Sequence, residues 1–403
     1  MRSFDVDEIR KDFPILSKPV NDRSLIYLDN AATSQKPLSV TDGIKYFYEN
    51  LNANPMRSIH SLAEKATEAY TGAREKVARF INASPDEIIF VRNSTEAINL
   101  VSMSLSFSRG DRVATTYLEH HSNMLPWMRL KSTGIDVDIV GVDENFDLDM
   151  GYYKELKENT KLVTVTHESN VSGTINDVKT ISNLAHKAGA LAFVDAAQSV
   201  PHMKVDVKDL GADFLCFSGH KMLGPLGIGV LYMARDVQYK MRPFLLGGEM
   251  IKSVKLDKVE YQDVPAVFEA GTQNVEGAYG LGLAMDYLNR IGMQNIEAHE
   301  KALTNHLYKV AEDVYGINVY SGRSHDRGAI FSFNLKNLHP HDVAYLLDKE
   351  GIAIRSGFHC AQPFIEDKLH VGGTARASLY LYNTKEEIDR FIKSLIDINT
   401  RYG

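Results

Sequence analysis

Ala212-Asp213-Phe214-Leu215-Cys216-Phe217 runs directly into Ser218-Gly219-His220-Lys221, and upstream Ala192-Phe193-Val194-Asp195 ends in an acid, with Gln198 three residues further on. Both apolar runs have strand length and no alternation, the pattern of strands buried on both faces of a parallel sheet. In such folds chemistry collects where the strands end. A hydroxyl, an imidazole and an amine within four residues, partnered by an acid at a neighbouring strand end, suit pyridoxal phosphate. Lys221 has the amine for a Schiff base with the aldehyde, and Ser218 and His220 can donate to the phosphate. A carboxylate such as Asp195 can hold the pyridine nitrogen protonated and make the ring an electron sink. Most lysines are solvated surface charges. Lys221 instead follows a buried-looking strand and precedes Met222-Leu223-Gly224-Pro225, where desolvation favours the neutral nucleophile. The i, i+2 spacing of Ser218 and His220 lets both face one phosphate if the segment stays extended.

The same rhythm extends outward. Ile88-Ile89-Phe90-Val91 leads through Arg92-Asn93-Ser94-Thr95-Glu96 into a helix-like stretch from Glu96 to Phe107. Taken alone, that polar cluster is a helix cap. Beside the lysine motif, the amides of the helix start and the Ser94 and Thr95 hydroxyls become a phosphate site. Lys161–Thr166 passes through a loop holding Asn170 to an amphipathic segment, Val178–Lys187, which Gly189 is placed to stop before the strand Leu191–Val194. Asn170, Asp195 and Ser218–Lys221 thus all fall at or just beyond strand ends, in an α/β fold around a mainly parallel sheet. After residue 288 the pattern changes: a long helix-like segment (Asn295 to Tyr315), strands near Ala329–Asn334 and Ile352–Arg355, and helices over His341–Lys349 and Lys385–Ile398. The expected division is residues 1–25 as an N-terminal segment packing with the small domain, 26–288 as the large domain and 289–403 as a smaller α+β domain.

Composition narrows the function classes. The 403 residues hold 44% hydrophobic and 24% charged side chains with a net charge of −7, so nucleic acid, which needs a basic face, is disfavoured as a partner. The N-terminus lacks the apolar core of a signal peptide, and no run is long enough for a membrane span. A soluble, cytoplasmic protein is expected, and its two cysteines make no disulfide framework. The adjacent histidines of Glu119-His120-His121-Ser122-Asn123 point apart, and no zinc-like spacing supports a metal site. They read either as a surface or capping pair or as an imidazole stacked on a cofactor ring. Cys216 reads as a small buried hydrophobe inside its strand. Cys360 differs: it lies in the polar, glycine-broken loop Ile354-Arg355-Ser356-Gly357-Phe358-His359-Cys360-Ala361-Gln362-Pro363, a cationic setting that suits an attacking thiolate. Arg355 and Arg376 are candidates to grip an amino-acid carboxylate, although each alone reads as a surface ion pair.

The chain resembles the group II cysteine desulfurases, the SufS/CsdA type of the class V aminotransferase superfamily. The resemblance rests on Tyr27-Leu28-Asp29-Asn30-Ala31-Ala32-Thr33, Thr95-Glu96-Ala97-Ile98-Asn99-Leu100, Glu119–Asn123, Ser169-Asn170-Val171-Ser172-Gly173-Thr174, Phe217–Lys221, Phe268-Glu269-Ala270-Gly271-Thr272 and the Cys360 loop, in family order. It implies the pyridoxal-phosphate-dependent transferase fold type I, with a seven-stranded, mainly parallel sheet in the large domain. It implies Lys221 as the cofactor lysine, Asp195 at the pyridine nitrogen, Gln198 at the ring hydroxyl and His120 on the ring. Ser94, Thr95, Ser218 and His220 would hold the phosphate, and Thr272 would reach the phosphate of the partner in a homodimer. Asn170, Arg355 and Arg376 would position L-cysteine. Cys360 would accept the sulfur as a persulfide, leaving alanine, and a SufE/SufU-like acceptor or scaffold would carry it to iron–sulfur cluster assembly. The alternatives are a selenocysteine lyase, a cysteine sulfinate desulfinase or another class V aminotransferase-type enzyme. Three stretches depart from the family pattern: Met56-Arg57-Ser58-Ile59-His60 for His-Arg-Gly-Ile-His, Phe358-His359 for two histidines, and Val275-Glu276-Gly277 for Thr-Gly-Gly.

Overall fold

The computed structural model describes residues 4–56, 58–321 and 327–403, so Arg57 of the Met56–His60 stretch lies outside the described residues. The apolar runs form a seven-stranded sheet: β1 (Ile88–Val91), β2 (Arg112–Thr116), β3 (Asp136–Val140), β4 (Thr160–Thr166), β5 (Leu191–Asp195), β6 (Phe214–Ser218) and β7 (Gly229–Met233), in the spatial order β1-β7-β6-β5-β4-β2-β3. β2 to β6 pair in parallel, whereas β7 runs antiparallel to both β6 and β1. One antiparallel strand between β1 and β6 leaves the carboxyl ends of all the others on one edge. Every residue of β6 and β7 is buried, because helices cover both faces.

Local signals set the helix bounds. The Asp177 side chain accepts from Thr180 N at 3.0 Å to start Val178–Lys187, and Gly189, at φ +77°, ends it in the left-handed region where a Cβ is unfavourable. The helix expected from Glu96 to Phe107 runs over Ser94–Ser104, capped by Asn93, which accepts from Glu96 N at 3.0 Å. It stops early because Leu105 turns extended and bridges to Met241.

The C-terminal part carries an antiparallel four-stranded sheet, Ile317–Val319, Ile330–Leu335, Thr374–Ser378 and Arg355–Gly357 in that order, with helices Met293–Ala311, Pro340–Lys349 and Lys385–Tyr402. The single strand expected over Ile352–Arg355 is two strands serving two sheets. Ile352–Ala353 pairs in parallel with Ile26–Tyr27, and Arg355–Gly357 pairs antiparallel with Thr374–Ser378. Ile26 and Leu28 accordingly bury beside Phe331, Phe333 and Leu395. Residues 4–25 touch both bodies: Arg10 pairs with Glu387 at 2.8 Å, while the Phe13 ring packs on Tyr287 and Tyr382. The division into 1–25, 26–288 and 289–403 remains a proposal about chain segments.

Glu269, in the motif that also holds Thr272, has a structural task. It receives the Arg74 guanidinium through both oxygens at 2.8 and 2.7 Å, the Tyr70 hydroxyl at 2.9 Å and Phe90 N at 2.7 Å, all buried. Glu269→Ala strands the arginine charge, so thermal or urea unfolding should register a loss of about 3–5 kcal/mol. Unchanged stability would contradict this role.

Candidate active site

At the carboxyl edge of the sheet lies a cavity of about 210 Å³. The carboxyl ends of β1, β2, β4, β5 and β6 each deliver one part of it. β6 ends at Ser218, and Gly219–Lys221 forms a single tight helical turn rather than the extended segment expected from the i, i+2 spacing. The turn is imposed by close packing, since Gly219 N donates to Ile228 O at 2.9 Å and a Cβ on Gly219 would lie 2.9 Å from Ile228. Ser218, His220 and Lys221 still all line the cavity. The turn is clamped from outside by a segment the sequence analysis gave no role: Thr33 Oγ1 and Lys36 Nζ donate to His220 O at 3.0 and 2.8 Å. The signal was present in the Tyr27–Thr33 motif, but its target on another element was not.

Burial pushes the Lys221 ammonium down to about 8; Asp195 resists, while Arg376 and Arg355 add to the depression. Asp195 ends β5, accepts from Ala197 N at 3.0 Å and has its own affinity for a proton raised by burial. Behind it Cys216 is fully buried with its sulfur 3.9 Å from the Asp195 carboxylate, and its thiol is held well above the ordinary range by burial.

The helix start after β1 and the end of β6 close on each other. Ser94 N donates to Ser218 Oγ at 2.9 Å, and the two hydroxyls lie 2.9 Å apart. Gly229 makes this approach possible, because a Cβ there would sit 2.7 Å from Asn93 Cα. Thr95 joins through Ser122, their hydroxyls 2.6 Å apart, and Ser122 in turn lies 3.0 Å from His120 Nδ1. His120 is pushed down to about 3 by burial and by Lys221, so its ring is neutral. Below it Glu119, unassigned by the sequence analysis, accepts from Thr116 Oγ1, Asn123 Nδ2 and Thr166 N at 2.6–2.9 Å and fixes the loop to β4.

The opposite wall comes from the C-terminal sheet. Arg355 and Arg376 face each other in register on adjacent strands. Arg376 is buried, donates to Asn170 O at 2.7 Å and lies 3.5 Å from Asp29, while Arg355 is exposed. Asn170 donates to His359 O at 2.8 Å, and His121 N donates to Cys360 O at 2.6 Å. The exposed Cys360 is thereby tied to the cavity that holds Lys221. Thr272 does not join: it lines a separate cavity of about 290 Å³ with Met56. Phe358 packs half-buried against the main core.

The donor set fits pyridoxal phosphate. The cavity contains a buried amine, an acid at the neighbouring strand end, and a helix start with three hydroxyls. Buried atoms without partners also line it, among them Gln198 Oε1 and His220 Nδ1. Gln198 spends its amide hydrogens on Ala31 O at 2.9 Å, which leaves the oxygen for a hydroxyl, and His220 can supply a phosphate donor. Among the described residues no cluster of three acids, histidines or cysteines suits a metal.

Fold and site together define a pyridoxal-phosphate-dependent enzyme of fold type I. The Aminotransferase class-V family matches residues 26–391. A protein of Halalkalibacterium halodurans named "Probable cysteine desulfurase" is 46% identical over 402 residues, covering 98% of each chain. "Cysteine desulfurase" of Haloferax volcanii is 44% identical over 410 residues, covering 97% of this chain and 96% of that one. Among solved structures, an apo cysteine desulfurase of Thermococcus onnurineus superimposes with a TM-score of 0.94 at 39% identity, covering 98% of both chains. The cysteine desulfurase CsdA of Escherichia coli, as the S-sulfonic acid, gives 0.91 at 33%, covering 99% of both. The chain belongs to the class-V aminotransferase family and, within it, to the cysteine desulfurases.

Proposed function

We propose that this enzyme converts L-cysteine to L-alanine and leaves the sulfur as a persulfide on Cys360. One observation carries the reading: the buried Lys221 amine and the exposed Cys360 thiol line one cavity of about 210 Å³. When bound, pyridoxal phosphate supplies an electron sink for the bonds around the substrate amino group. Asp195, buried and otherwise held by one amide and a thiol, would keep the ring nitrogen protonated, and Gln198 Oε1 would accept from the ring hydroxyl. The neutral His120 ring would lie on the cofactor face. Ser94, Thr95, Ser218 and His220 would hold the phosphate beside the helix start. Arg376, its charge fixed between Asp29 and Asn170 O, would bind the substrate carboxylate with Arg355, while Asn170 orients it.

Lys221, free once substrate has taken its place, moves protons on and off the substrate carbons at Nζ. The Cys360 thiolate attacks the substrate sulfur. The carbon–sulfur bond breaks as the sulfur–sulfur bond forms, the substrate carbon is reduced by two electrons, and the proton lost by the Cys360 thiol is made up at that carbon. Alanine and a persulfide result, with no external oxidant or reductant. We further propose a homodimer in which Thr272 reaches the partner's phosphate site, and a sulfur-acceptor protein of the SufE/SufU or scaffold type that passes sulfur to iron–sulfur assembly in the cytoplasm. No helix among the described residues is long and apolar enough to cross a membrane.

A substrate panel tests the activity. With L-cysteine the purified holoenzyme should release alanine and sulfide one for one in the presence of a thiol reductant. Preferred release of selenide or sulfite from the corresponding amino acids, or keto-acid-dependent transamination, would replace the reading.

A further inference from the structure

Glu168 has none of the roles above, yet it lines the same cavity as Lys221, Asp195 and Gln198. It is 1% exposed, and neither carboxyl oxygen has a hydrogen-bond partner. Its backbone is well fixed, with Thr166 Oγ1 donating to Glu168 O at 2.9 Å and a bridge to Ile175. Its head is pressed onto Gly328, where a Cβ would come within 1.8 Å of Oε1. A buried carboxylate with both oxygens unsatisfied is not maintained as a charge; such a group takes up a proton instead.

The neighbours agree. Of the neighbouring cation-forming groups, His202 is already engaged by Glu300, Nδ1 to Oε2 at 2.9 Å, and Glu300 leaves a second oxygen unpartnered. Lys221 faces Glu168 across the cavity but is drawn to Asp195. On the Gly328 side, the Arg327 guanidinium lies over the Tyr308 ring, 4.1 Å from its centroid. His167, next in the chain, is pushed down to about 4 by burial and is neutral.

We propose that Glu168 is a neutral acid of this cavity, a positioning residue that keeps its proton through neutral pH and donates its O–H to an oxygen of the bound cofactor or substrate. The cavity thus holds an orphaned acceptor, Gln198 Oε1, and in Glu168 an orphaned donor, beside the unpartnered nitrogens of His220, His359 and Arg376. That combination complements an oxygen that exists as both hydroxyl and anion. Burial pushes the Glu168 carboxyl up to about 8, with His202 opposing and Glu300 adding to the rise. The unfolded carboxyl titrates at 4.5, so the folded chain holds an extra proton between those values. Its contribution is greatest at low pH and is lost as the pH climbs through about 8.

The inference rests on the cofactor-dependent reading, and its test separates the two. The holoenzyme, Glu168→Gln and Glu168→Val are compared by infrared spectroscopy and by titrating the cofactor's visible absorption with pH. Because Glu119 is also pushed up to about 8 by burial, the readout is the difference spectrum: wild type minus either variant should show a protonated-carboxyl stretch at pH 7 that fades near pH 8. Glu168→Gln, which keeps a neutral donor of the same shape, should leave the pH 7 visible spectrum intact. Glu168→Val should move the absorption midpoint by more than about one pH unit. A difference spectrum between wild type and Glu168→Gln with no protonated-carboxyl band at pH 7, or superimposable absorption profiles in all three proteins, overturns the proposal. If none of the proteins gains a visible band on adding pyridoxal phosphate, the cofactor reading fails, and the infrared band alone then decides whether Glu168 keeps its proton.

Discussion

Lys221→Ala should abolish covalent cofactor attachment and lower alanine formation by about 10³-fold or more, the scale lost with a proton-moving group that has no substitute. Borohydride reduction of the wild type followed by peptide mapping should find the reduced adduct on Lys221, and the variant should yield none. The placement of the two depressed lysines supports this choice. Lys36, the other depressed amine, at about 8, spends its Nζ on Ser34 O and His220 O behind the turn. Lys221 stands inside the cavity, and the same burial that lowers its pKa to about 8 sets the pH course of cofactor uptake. Below that value the neutral fraction of the amine, and so the uptake rate of the apo-protein, should rise about tenfold per pH unit; above it the rate should level off. An amine left at its ordinary value of 10.5 would keep climbing past pH 9. An adduct mapped to another lysine removes the mechanism.

The parts of the site legible in the sequence were those that a single strand end carries. Asp195 and Ser218–Lys221 each follow a continuous apolar run, and a strand that must be buried on both faces announces where its carboxyl end lies. The neighbouring acid and lysine could be paired because β5 and β6 are adjacent both in sequence and in space. What stayed hidden was long-range contact. That Lys36 grips the His220 carbonyl, and that Asn170 and His121 fasten the Cys360 loop, depends on elements brought together only by the fold. The strand expected over Ile352–Arg355 failed for the same reason: its apolar residues fit one strand, but two different edges compete for its hydrogen bonds. Glu168 gives no such signal, because an acid between His167 and Ser169 in a polar loop looks solvated, whereas the fold brings Gly328 against it and buries it.

Cys360→Ala should leave the bound chromophore spectrum unchanged while cysteine-dependent alanine and persulfide formation fall by on the order of 10³-fold, because the nucleophile is deleted and every cofactor contact is kept. The backbone around this thiol supports that assignment. His359 and Cys360 adopt φ values of +50° and +57° in succession, a left-handed pair that costs non-glycine residues free energy and persists only where the surroundings impose it. The surroundings do so. His359 is buried, its Nε2 lies 3.0 Å from Thr374 O and 2.8 Å from Thr374 Oγ1, and burial with Arg376 pushes its ring down to about 2, so it acts as a neutral strut. His121 then anchors both sides of Cys360, its amide to Cys360 O at 2.6 Å and its Nε2 accepting from Gln362 N at 3.0 Å. A cysteine displayed on so constrained a turn, with its side chain exposed and its main chain fastened to the loop that holds His120, is placed to meet a substrate sulfur. Cys360→Ser sharpens the test, since it keeps the turn, the volume and a hydroxyl but supplies no sulfur to carry a persulfide. It should bind cysteine, shift the cofactor spectrum and stall. Turnover to alanine by either variant at a rate near that of the wild type would take Cys360 out of the reaction, whatever the fate of Lys221.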